Sequence, residues 1–210
     1  MNYIQDSRAN DLYDTLRYNK KPLSLYKALQ LGYLRNENKQ ARKLKKFGYI
    51  VDRDLTDNER LVAYNPTLKK TLFVSNGSET NPFKDAKQFS KDWSHNILNI
   101  GTGNIKNSTR YNQDKQAYEN ALKKYNTTMV LAGHSQAGSN LSRLAHGNHQ
   151  VYTLDPALIN QKPRENVHNF RSMGDIISAG ANDITTLKKG SPNPLKAHDI
   201  TNIKNEPIFL

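Results

Sequence analysis

Residues 127–138 read Thr-Thr-Met-Val-Leu-Ala-Gly-His-Ser-Gln-Ala-Gly, and their reading decides the fold. The first six are β-branched or apolar and end at Gly133, as expected of a short strand buried on both faces. After Ser135 the period changes. Ala137, Leu141, Leu144 and Ala145 recur on one face of a helix. Between strand and helix lies Gly133-His-Ser-Gln-Ala-Gly138, a Gly-x-Ser-x-Gly match. Alone it is a weak signal, and an ordinary tight turn is the bland alternative. A strand before it and a helix after it are the context that gives it chemical meaning. In so sharp a bend the serine hydroxyl stands clear of the sheet, and small residues at 133 and 138 let the two elements pass closely. The helix N-terminus, with the backbone N–H of Gln136, then faces any oxyanion formed there.

The flanking sequence extends the pattern. Leu61-Val-Ala-Tyr and Thr71-Leu-Phe-Val surround a polar loop at residues 65–70, which predicts an antiparallel hairpin. Residues 112–125 place Ala117, Tyr118, Ala121, Leu122 and Tyr125 on one helical face. Residues 97–100, 151–154 and 167–170 are further strand candidates. Helices and strands in this rhythm predict an α/β domain of α/β-hydrolase type: a mostly parallel central sheet with helices on both faces. The start of the chain reads as short helices, one opened by Pro22 and ended by Gly32. A second is capped by Asn36 or Asn38, carries Ala41 and Leu44, and stops at Gly48. Residues 1–47 are therefore expected to form a basic helical segment packed on a main domain of residues 48–210.

Composition narrows the chemistry. The 210 residues contain no cysteine, which removes disulfides, thiolate catalysis and cysteine-bound zinc. No stretch approaches the roughly 18 apolar residues of a membrane span, and the N-terminus lacks the apolar core of a secretory signal, so a soluble protein made in the cytoplasm is expected. The formal net charge is +12, with Lys39, Arg42, Lys43, Lys45 and Lys46 crowded together. Such a cluster attracts the phosphates of anionic lipid or nucleic acid, or is simply a solvated helix face. No nucleic-acid-binding motif accompanies it, so nucleic acid is not the favoured partner.

A serine nucleophile needs a base and an orienting acid. In this fold they follow the serine in the order acid, then histidine. His95 and His134 precede Ser135. His146 and His149 sit at the far end of the following helix, and His168 falls within a strand. His198, in a loop-like setting after Pro192 and Pro194, is left. Asp155 and Asp175 each follow a strand, where the active-site loops of open α/β sheets lie. The later one, Asp175, is preferred, with Asp183 and Asp199 as minor candidates. A second oxyanion donor is sought at Gly77-Ser78, after the strand ending near Ser75, against the plain alternative of a simple turn.

With these pieces in order, the chain resembles the class 3 lipases within the α/β-hydrolases. It looks most like the short lipase-like proteins encoded by some double-stranded DNA viruses, virophages and their relatives among them. Gly48-Tyr-Ile-Val-Asp, the Leu61 hairpin, Ser75-Asn-Gly-Ser, Asp92-Trp, Gly133-His-Ser-Gln-Ala-Gly, Gly174-Asp-Ile-Ile and His198 carry the resemblance. It implies Ser135 as nucleophile, Asp175 as acid, His198 as base, and Gln136 and Ser78 as oxyanion donors. A lipid ester, acylglycerol or phospholipid, is the implied substrate, with no metal or organic cofactor; packaging in a virion is compatible with the resemblance. Two blocks depart from the family pattern: Ser75-Asn-Gly-Ser stands for Phe-Arg-Gly-Thr, and Gly-His-Ser-Gln-Ala-Gly for Gly-His-Ser-Leu-Gly-Gly. Phe83, Phe89 and Trp93 in residues 79–111 suit a mobile cover, an interfacial anchor or an ordinary surface helix.

Overall fold

The computed structural model describes residues 22–77, 108–157, 162–181 and 183–210, without the side chains of residues 194 and 195. Ser78, Phe83, Phe89, Trp93, His95 and the strand expected at 97–100 lie outside the described residues.

Central strands buried on both faces build one seven-stranded sheet among the described residues. Strands β1 (Ile50–Val51), β2 (Arg60–Asn65) and β3 (Lys70–Ser75) are antiparallel neighbours. From β3 onward the sheet is parallel, through β4 (Thr128–His134), β5 (Gln150–Leu154), β6 (Val167–Met173) and β7 (Thr185–Gly190). This is the mostly parallel α/β-hydrolase-like sheet that the sequence predicts. The hairpin has the expected register, Leu61 opposite Val74 and Asn65 opposite Lys70.

Strand order follows chain order, so right-handed crossovers place the intervening helices α3 (Thr109–Tyr125) and α4 (Ser135–Leu144) on one face. There Val62, Phe73, Met129, Leu131 and Val151 meet Tyr118, Ala121 and Leu141. The opposite face is covered by the earlier helices α1 (Leu25–Gly32) and α2 (Glu37–Leu44). Leu61, Ala63, Leu72, Val74 and Ala132 point that way and pack with Leu25, Ala28, Leu29 and Leu44. At about 2 kcal/mol for each fully buried leucine, these helices are integral to the core. Two backbone hydrogen bonds tie this layer to the other end of the chain: Leu25 donates to the Ile208 carbonyl at 2.8 Å, and Leu210 donates to that of Leu23 at 2.9 Å.

Local chemistry sets the helix ends. The side chain of Ser24 caps α1, accepting from the Lys27 N–H, so Pro22 lies outside the helix rather than opening it. Asn36 caps α2, which runs to Leu44 and tightens through Lys45–Phe47 to a left-handed Gly48. Helix α3 begins three residues earlier than the apolar face suggests, because Ser108 caps it.

No helix of the described residues is long and apolar enough to cross a membrane. The basic cluster sits on α2 and the turn after it. Arg42, Lys45 and Arg53 line a cavity of about 310 Å³ beside Tyr49 and β1. The Lys27 ammonium is held below its ordinary pKa, first by burial and then by the repulsion of Lys43 and Lys46.

Candidate active site

Strand β4 ends at His134 and α4 starts at the next residue. Ser135 joins them in the left-handed region, with φ 57°. That conformation costs an L-residue roughly 1–2 kcal/mol, and tight packing of the two glycines sustains it. A Cβ on Gly133 would lie 2.8 Å from the Gly138 backbone, and one on Gly138 would come within 3.1 Å of the Gly133 carbonyl. Gln136 falls in the first turn of α4, where backbone N–H groups lack intrahelical partners.

The loop after β3 reaches the same place. A Cβ on Gly77 would sit 3.2 Å from that of Ser135. The loop is fixed from beneath by a fully buried carboxylate, Asp114 on α3. Asp114 accepts from Arg60 (3.2 Å), Arg110 (3.2 Å), Ser75 Oγ (3.0 Å) and Asn140 Nδ2 (2.7 Å), joining β2, β3, α3 and α4. Arg110 also donates to the Asn76 carbonyl at 2.7 Å. Asn76 in turn donates to the Gly32 carbonyl at 2.8 Å, which anchors the loop to α1.

The structure brings Asp175 and His198 together: Asp175 Oδ1 lies 2.9 Å from His198 Nδ1. The other carboxylate oxygen accepts the backbone N–H of Ser178 at 2.9 Å and also its hydroxyl. Burial pushes the Asp175 carboxyl up. The His198 hydrogen bond and charge, with both Ser178 donors, outweigh that and hold it below the usual carboxylate range. Asp199 is occupied elsewhere, its side chain capping the short 3₁₀ turn Ile200–Ile203. Asp183 offers its backbone carbonyl to Asn169. His149 accepts from the Met129 N–H near the start of β4, the opposite end of that strand from Ser135, and His168 pairs with Gln150.

His134 anchors a hydrogen-bond chain whose direction the donors dictate. The Gly77 N–H can only donate, so the Tyr33 hydroxyl accepts it at 2.9 Å and gives its own proton to His134 Nδ1 at 2.8 Å. His134 Nε2 therefore carries the hydrogen and donates to the His198 carbonyl at 3.0 Å. The rings of His134 and His198 lie 4.6 Å apart. Burial, reinforced by His198, drives the His134 pKa down to about 3, and burial raises Tyr33 to about 12, so both are neutral as this chain requires.

Asp155 ends β5 in a left-handed conformation, φ 47°, with its side chain fully buried. Its two oxygens accept the Ser172 N–H at 2.7 Å and hydroxyl at 3.0 Å. His134, Asp155 and His198 each present a possible ligand atom, all within 4.8 Å of one another. Both His134 nitrogens and both Asp155 oxygens already hold hydrogen bonds, which makes the trio a poor metal cage.

Tyr33, Asp114 and the bridging role of His134 escape the sequence. An acid on the otherwise apolar face formed by Tyr111, Tyr118 and Ala121 is a legible signal for Asp114. Nothing local marks Tyr33, whose partner is 101 positions away.

No family model matches the chain, and no curated protein sequence matches it. Among solved structures it is similar to three fungal lipases. Lip2 lipase from Yarrowia lipolytica has a TM-score of 0.46 at 10% identity, over 97% of this chain and 91% of that one. The Rhizomucor miehei lipase propeptide complex has a TM-score of 0.33 at 14% identity, over 74% and 54%. The lipase from Rhizopus microsporus var. chinensis has a TM-score of 0.31 at 12% identity, over 72% and 58%. This chain thus spans little more than half the length of the last two. None of the three is viral, and they lend nothing to the resemblance to viral proteins.

Proposed function

We propose that the chain is a serine hydrolase cleaving carboxylic esters of lipids through an acyl-enzyme. One observation carries this reading: a serine held at φ 57° between a buried strand and a helix, with the ring of His198, itself bonded to Asp175, 4.6 Å from that of the preceding residue, His134. His198 is bonded to Asp175 through Nδ1, which leaves Nε2 to take the proton of Ser135. The Ser135 oxygen attacks the ester carbonyl and the alcohol leaves with that proton. Water, activated by the same imidazole, then releases the acid.

The Gln136 N–H at the start of α4 is one oxyanion donor. The Gly77 N–H is taken by Tyr33, so the second donor comes from the next peptide, that of Ser78. Lipid is favoured over a small polar ester because Met173 and Ile176, flanking Asp175 in the chain, are apolar and 54% and 55% exposed. The basic face of α2 suits an anionic membrane, which inclines the reading to phospholipid.

Ser135→Ala should abolish hydrolysis of p-nitrophenyl butyrate while leaving circular dichroism unchanged. A fluorophosphonate should label residue 135 in the native chain and nothing in the variant. Persistent turnover, or labelling elsewhere, refutes the reading.

A further inference from the structure

Asp155 is a carboxyl that the proposed reaction does not use. It closes β5, beside the strand that delivers the nucleophile, fully buried and in a backbone conformation an aspartate adopts at a cost. Ser172 alone would be served as well by a neutral acceptor. A ring nitrogen of His198 and one of His134 lie within 4.8 Å of an Asp155 oxygen. The titratable groups facing this carboxyl among the described residues are therefore Asp175, His198 and His134. His134 is kept neutral by its burial, so the charge that matters is the one His198 acquires.

Resting on the serine-hydrolase reading, we propose that Asp155 is a positioning residue, a second carboxyl that shares His198 with Asp175 and steadies the imidazolium when Ser135 gives up its proton. Two carboxylates beside a neutral imidazole would bury two negative charges together, and one of the pair yields. Burial first, then the charge of Asp175, pushes Asp155 up to about 7, against the opposing pull of His198 and Ser172. Asp175, bonded directly to Nδ1, stays ionised. Asp155 is thus a reserve of negative charge that is expressed at neutral and higher pH and withdrawn in acid.

The test uses the full chain, p-nitrophenyl butyrate, and the variants D155N, D175N, D155N/D175N and S135A, with kcat/KM followed from pH 5 to 9. Asparagine at 155 is isosteric and can still accept the Ser172 N–H. Asp155 carries its charge only at neutral and higher pH, so D155N should lose at least about threefold in kcat/KM between pH 8 and 9 and keep the native rate at pH 5. D155N/D175N should be at least about tenfold less active than D175N at pH 8. No loss at pH 9, an equal loss at pH 5, or a double variant equal to D175N, overturns the proposal. If D155N does not fold, Ser172→Ala replaces it: losing a donor raises the Asp155 pKa, so kcat/KM should fall most around pH 7 and recover by pH 9, and an unchanged profile overturns the proposal. Hydrolysis surviving in S135A overturns the underlying serine-hydrolase reading instead, and is recognised because it needs no change at residue 155.

Discussion

Removing one oxygen atom, by Tyr33→Phe, tests whether the N-terminal layer belongs to the active site. The hydroxyl accepts from the Gly77 N–H and donates to His134 Nδ1, at 2.9 and 2.8 Å. Phenylalanine keeps the ring and strands both partners. Each buried group left without a partner costs about 1–3 kcal/mol, or about 2–4 kcal/mol for the two together after partial relaxation. In a domain of this size that lowers Tm by about 5–15 °C. His134 can recover a bond only by changing tautomer, which would turn the Nε2 lone pair against the His198 carbonyl and push that loop outward. The Gly77 loop beside Ser135 loosens at the same time. A displacement approaching 1 Å at a reacting group costs on the order of 100-fold, so kcat on p-nitrophenyl butyrate should fall by roughly 10- to 100-fold. Calorimetry and steady-state kinetics on Tyr33→Phe, with Tyr26→Phe as a control on the same helix, decide the matter. A Tyr33→Phe protein within twofold of native kcat and within about 2 °C of its Tm refutes the reasoning.

Asp114→Ala leaves Arg60 and Arg110 without their shared buried partner and should destabilise by about 3–5 kcal/mol, read from the urea midpoint. Met173→Ser with Ile176→Ser removes two half-exposed apolar side chains, each worth about 0.7 kcal/mol against an acyl chain. It should lower kcat/KM on a palmitoyl ester about tenfold and leave the butyryl ester unchanged. Between about pH 4 and 6.5 the unfolded chain protonates His134 while the folded chain keeps it neutral, which on its own makes stability fall as pH falls. Asp155 has the opposite sign there, protonated when folded and ionised when unfolded, so the two cancel. In Asp155→Asn the cancellation is gone, and urea titrations should show about 1.4 kcal/mol more stability lost per unit of acidification than in the native chain. Replacing Arg42, Lys45 and Arg53 with Gln should abolish salt-sensitive sedimentation with phosphatidylglycerol vesicles, while hydrolysis of the soluble butyrate ester persists.

What the sequence discloses is what neighbours in the chain decide. The strand–serine–helix bend, the hairpin, the Asn36 cap and the helix ending at Tyr125 each depend on contacts a few residues apart. Strand β7 does not: its only buried hydrophobic residue is Leu187, and the polar composition of an edge strand hides its pairing. Strand β1 is two residues long and has no period to detect. Asp155 and Asp175 follow strands in the same way, so spacing alone cannot separate them, and in three dimensions both come close to His198. Tyr33 was invisible because its value comes from a partner on the other side of the sheet's chain order, and Ser78 lies outside the described residues.

The hydrogen-bond chain through Tyr33, Gly77, His134 and His198 draws on four well-separated parts of the polypeptide. Loops that long are closed late, because their entropy is lost before the bonds reward it. During refolding, the sheet signal in the far ultraviolet should therefore return ahead of esterase activity. A chain with its strands already aligned would still be chemically silent until helix α1 and the His198 segment had met.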